Sequence, residues 1–77
     1  MFSKRYRNEV EIVGSTSSAQ EEKILSLYEK KSALSDEHNR FFDVDRAHAN
    51  RLYQQMRQVE DELDREKQAA GVQLRYR

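Results

Sequence analysis

The stretch Ala49-Asn50-Arg51-Leu52-Tyr53-Gln54-Gln55-Met56-Arg57-Gln58-Val59-Glu60-Asp61-Glu62-Leu63 decides the fold. Ala49, Leu52, Met56, Val59 and Leu63 follow one another at steps of three, four, three and four, the spacing that lines one narrow stripe of a helix. Most residues between them are charged or amide-bearing. The seam predicts a helix over 43–70 that must lay its apolar stripe against a partner.

Upstream, residues 18–39 offer that partner. Ile24, Leu27 and Leu34 share one side with Tyr28 and Phe41, while Glu21, Glu22, Glu29 and Lys30 lie elsewhere. This stripe is weaker, because Lys31 and His38 fall on its heptad line. Ser18, followed by Glu21, reads as a capping box that starts the helix. No Gly or Pro separates the two stretches, so one continuous helix of about 80 Å, at ~1.5 Å per residue, is the competing reading. The heptad phase argues against it: carried forward by sevens, Leu27, Leu34 and Phe41 land on His48, Gln55 and Glu62. The phase breaks at 39–45. Asn39 is suited to a left-handed helix end and Asp43 to a new cap, which predicts a hairpin.

Outside the helices the period changes to two. Val10, Ile12 and Val13 alternate with Glu9 and Glu11, predicting a strand at 8–14 that Gly14 ends. Gly71 follows Ala69-Ala70 as a helix-terminating glycine, and Val72, Leu74 and Tyr76 alternate with Gln73, Arg75 and Arg77 in a second strand at 72–77. In a hairpin these strands meet antiparallel, with Glu9 and Glu11 opposite Arg75 and Arg77. The fold class expected is therefore mainly α: a helical hairpin, or antiparallel coiled coil, with short N- and C-terminal β-strands in one domain.

Composition bounds the rest. Hydrophobic residues are 36% of the 77, below the roughly 45–50% of ordinary globular chains. Leu, Ile, Val and Phe occupy only 16 positions, and there is no cysteine for a disulfide or thiolate metal site. Small unstapled scaffolds usually associate, so a homodimer forming a four-helix bundle is expected. Residues 1–7 lack the apolar run of a signal peptide and no window has the length of a membrane span, which points to a cytoplasmic protein.

Four groups are candidate sites. Lys4, Arg5, Tyr6 and Arg7 form a basic aromatic arm that the hairpin would bring beside Arg75, Tyr76 and Arg77, a set suited to phosphate contact and base stacking. The balanced charge of 14 basic and 14 acidic residues favours plain neutralisation by Glu9 and Glu11 instead. Phe41 and Phe42 at the hairpin tip cannot both face one narrow seam, which leaves one for a partner. The acidic run 60–66 is interleaved with Arg65 and followed by Lys67, and reads as a solvated face. His38 and His48 with Asp43 and Asp45 lack the three or four converging ligands of a metal site. No nucleophile and base pair or glycine-rich phosphate loop suggests catalysis. Glu60-Asp61-Glu62-Leu63-Asp64 resembles, at Glu62, Leu63 and Asp64, the Ser-Gln-Glu-Leu-Asp signature of small helical-hairpin phosphatases acting on sporulation response regulators. Glu60 and Asp61 stand where that signature has serine and glutamine, so membership is not assigned. The function expected is a non-catalytic adaptor, inhibitor or regulator that binds another protein, without cofactor or metal. A nucleic-acid-binding regulator using the basic end is the alternative.

Overall fold

A computed structural model describes residues 5–77. Along the chain run a helical turn α1 (Arg5–Asn8), strand β1 (Val10–Val13), helix α2 (Ser18–Phe41), helix α3 (Arg46–Ala70) and strand β2 (Gln73–Tyr76). α2 and α3 fold back on one another. The longest dimension is 42 Å, about half that of a continuous helix. Lys23 lies against Glu66, Ile24 shares a cluster with Leu63, His38 faces Tyr53 and Phe41 faces His48. Each step up α2 is thus matched by a step down α3.

The seam falls where its spacing places it. Ala49, Leu52, Val59 and Leu63 are buried and Met56 is half-buried. On α2, Ile24 is fully buried, while Leu27 and Leu34 are half-buried as the weaker stripe implies. Within one chain the α3 seam packs on α2, leaving Met56, Leu27 and Leu34 half-buried.

Three expected boundaries move. Ser17, not Ser18, caps α2: its backbone is extended and its Oγ accepts from the Gln20 N–H at 3.2 Å. Four consecutive hydroxyl residues offer the same chemistry, and only the backbone conformation selects among them. Asn39 does not end α2, which continues to Phe41, and no non-glycine residue described has positive φ. The turn stays right-handed, Phe41 C=O accepting from the N–H groups of both Val44 and Asp45. Asp45 replaces Asp43 as the cap of α3, its carboxylate accepting from the His48 N–H at 3.1 Å. Gly71 ends α3 as expected, with φ +69, its N–H bonding Gln68 C=O at 3.2 Å.

The strands pair antiparallel, Val10 opposite Tyr76, Glu11 opposite Arg75, Ile12 opposite Leu74 and Val13 opposite Gln73. Val10 and Val72 join Ile24, Tyr28 and Leu63 in the main cluster, with Ile12 and Leu74 packed on it. Buried Val59, Leu52 and Ala49 continue the core along α3 toward the turn, and this cluster sits at the end where the chain termini meet. Gly14 makes the closest approach there: with φ +124, a Cβ on it would come within 3.0 Å of Val72 Cγ1.

Leu63→Ala should lower unfolding free energy by ~2–5 kcal/mol, because it leaves a cavity beside Ile24. Val44→Ala, at a position 80% exposed, should change it by less than about 0.5 kcal/mol. Urea titration of both variants checks the contrast.

Candidate functional site

Among the described side chains of the basic end, Arg7 and Arg75 face carboxylates, while the side chain of Arg5 lies outside the description. α1 replaces the free arm with a helical turn because α2 presents a row of acceptors one and two turns apart. Arg7 Nη1 lies 2.7 Å from Glu22 Oε2, Nη2 donates to Ser26 Oγ at 3.3 Å, and Nε donates to Glu29. The two carboxylates raise the Arg7 pKa further, and Arg7, by hydrogen bond and charge, lowers that of Glu22. Glu29, only 7% exposed, is the buried charge that makes this pairing structural. Tyr6 packs against the core and its hydroxyl donates to Asp36. Lys4 lies outside the described residues.

On β2, Arg75 donates through Nε to Glu11 at 2.9 Å and through Nη2 to the same oxygen, lowering the Glu11 pKa. Arg77 is held differently from the cross-strand pair with Glu9 that alternation suggests. Its N–H bonds the Glu9 carbonyl at 3.0 Å and its Nε the Val10 carbonyl at 3.2 Å. Tyr76 is 73% exposed and lies beside Tyr28, whose pKa is raised first by burial and then by the neighbouring Tyr76 hydroxyl.

The opposite end carries three exposed large apolar groups, while Val13, 44% exposed, and Tyr76 lie at the ribbon end. Phe42 is 43% exposed, Tyr53 42% and Val44 80%. His38 joins two of them, its ring 5.7 Å from Phe42 and 5.8 Å from Tyr53. Phe41 turns inward and meets His48 edge-on at 4.7 Å, so the adjacent phenylalanines divide as one narrow seam requires. Arg46 stacks its guanidinium over Phe42 at 4.7 Å. Tyr53 was not legible as a site residue, because on the α3 heptad it reads as an outer position.

Among the described residues no group of three or more His, Asp or Glu converges as a metal site would. Asp45 uses its carboxylate as a helix cap. In the acidic run, Glu66 bonds Lys23 at 2.9 Å and Gln20 at 2.5 Å, which lowers its pKa, while Asp64 faces Lys67 at 3.4 Å. No described helix is long and apolar enough to cross a membrane. Comparison with known protein families, curated proteins and solved structures finds no match to this chain.

Acid should loosen the fold through three carboxyls. Glu11, Glu22 and Glu66 each have a folded pKa below the ordinary value. Their contribution is full above the unfolded carboxylate pKa and is lost as pH falls through the depressed folded values. The melting temperature should therefore decline from about pH 5 downward. In Arg7→Gln, stability at neutral pH should drop by ~1–3 kcal/mol, since buried Glu29 loses its cation, and the acid decline should be shallower. Thermal melts across pH check both.

Proposed function

We propose that this protein is a non-catalytic interaction module that binds another protein through the hairpin tip. The observation that carries the reading is that exposed Phe42 and Tyr53 both meet the His38 ring, with exposed Val44 in the adjoining turn, at the end away from the strands. Aromatic groups left partly in water, flanked by a stacked arginine, have the composition of interface anchors. Each would gain by desolvation against a partner. The scaffold beneath them is fixed, since Asp45 caps α3 and Phe41 locks against His48.

Nucleic-acid binding at the basic end is the weaker reading. Arg7 and Arg75 already face carboxylates, so a phosphate would have to compete with Glu22, Glu29 and Glu11. The thin core still supports self-association as part of the proposal. A four-helix bundle of two hairpins would use outer helix faces and could cover the half-buried Leu34 and Met56. Cytoplasmic action belongs to the same proposal, on the grounds of composition given above.

Affinity capture with the purified protein as bait tests the tip. Phe42→Ser with Val44→Asp should abolish retention of a protein partner while leaving the melting temperature within a few degrees. Arg75→Gln with Arg77→Gln should retain that partner. Gel mobility of mixed DNA and RNA fragments at physiological salt should show no shift; a shift lost in the double arginine variant would replace the tip reading by the nucleic-acid one. Sedimentation mass and the concentration dependence of melting test the dimer, a monomeric mass with a fixed midpoint refuting it.

A further inference from the structure

The geometry points to a second binding surface: the outer edge of β2 accepts an extended peptide strand of alternating apolar, acidic and apolar residues. The inference is independent of the tip. It starts from which backbone groups the ribbon leaves unused. The Arg77 N–H bonds the Glu9 carbonyl, and with the register of the pair this makes residues 73, 75 and 77 the ones whose polar groups face β1. Leu74 and Tyr76 alternate with them, so their N–H and C=O groups point to the other side. Among the described residues the sheet has two strands, and nothing pairs there.

The two edges of the ribbon are not equivalent. Along β1 the Val10 carbonyl is taken by Arg77 Nε, and the groove beside it, about 320 Å3, is lined by the charged Arg7, Glu21 and Arg77. Beside β2 lies an open groove of about 490 Å3, walled by Asp64, Lys67 and Gln68 of α3 and floored by Val72 and Leu74. An exposed edge with unsatisfied polar groups is a template for strand addition, in which main-chain bonds give affinity and alternate side chains give specificity.

Charge decides the occupant. An added strand would place its residues opposite Leu74 and Tyr76 on the face that packs toward the helices, and its residue opposite Arg75 on the solvent face. Arg75 has a side chain 68% exposed and directs Nε and Nη2 at a single oxygen of Glu11, leaving Nη1 for a second carboxylate. A carboxylate there completes an acid, arginine, acid ladder across three strands. β1 already shows the pattern that β2 accepts on its inner edge, as Val10-Glu11-Ile12. Pairing of β2 with β2 of a second copy, centred on Arg75, would instead set two arginines face to face.

The test uses the full chain labelled with 15N and a capped synthetic peptide copying residues 8–14, beside the same peptide with Glu9→Lys and Glu11→Lys. On adding the acidic peptide, the amides of Leu74 and Tyr76 should exchange with solvent about tenfold more slowly, while that of Arg75, already facing β1, stays as it was. The lysine peptide should bind about tenfold more weakly. The chain variant Arg75→Glu should reverse that preference, which a merely destabilised ribbon would not do. No protection of Leu74 and Tyr76 at about millimolar peptide, or equal binding of both peptides, overturns the inference. Loss of protection at Arg75 overturns it too, because the peptide would then be displacing β1 rather than adding to β2. Protection of the same amides without peptide, together with a dimeric mass, would assign the edge to a second copy. Shifts confined to Phe42 and Tyr53 would overturn it while leaving the tip reading in place.

Discussion

The burial of Ile24 against Leu63 is the contact on which the remaining structure depends. Ile24 is completely covered and Leu63 nearly so, and Val10, Tyr28 and Val72 close around them. These five residues come from four separate parts of the chain. Two helices alone could slide past one another along a narrow seam with modest loss, but a contact that also holds a strand from each end fixes one register. The Lys23 to Glu66 bridge then lies where that register places it, beside the buried pair. As an exposed pair it contributes little itself, so it reports the alignment more than it creates it.

The position of this cluster at the ribbon end has an electrostatic consequence. α1 is not held by burial alone: among its described side chains only Tyr6 reaches the cluster. Arg7 supplies the second attachment by crossing to Glu22, Ser26 and Glu29 on α2. Removing Arg7 from water is offset only because its donors meet acceptors on a rigid helix face, and Glu29 is likewise tolerated at 7% exposure because Arg7 covers it. A basic residue that looks available for phosphate in the linear sequence is thus a structural strap.

Legibility in the sequence followed the range of the interaction. Local periodicity identified the α3 seam from Ala49 to Leu63, and the change to period two identified both strands, because side-chain alternation and backbone geometry are the same fact. Gly71 was readable because a left-handed helix end strongly favours glycine. The antiparallel pairing was readable because Glu11 and Arg75 complement one another across it. The caps were not, since Ser15 to Ser18 and Asp43 and Asp45 offer equivalent acceptors a residue or two apart. Arg7 was misread for a different reason. Its partners lie 15 to 22 positions away on the far side of a turn, and no short-range pattern marks them. Tyr53 entered the tip only through His38, a contact between helices.

The division of the molecule into two ends bears on what each can do. At the ribbon end, burial engages Val10 and Val72 and ion pairing engages Arg7 and Arg75, and what stays open is backbone along one strand edge with the side chains of Val13 and Tyr76. At the tip the backbone is satisfied by caps and turn bonds, and what stays open is aromatic and aliphatic side chain. Backbone edges recognise extended segments with little dependence on side-chain shape, whereas exposed aromatic groups need a shaped apolar recess. A partner strand at one end and a globular surface at the other would therefore not compete, being separated by most of a 42 Å molecule. The rigid hairpin between them sets that separation, and the contact between Ile24 and Leu63 sets the hairpin.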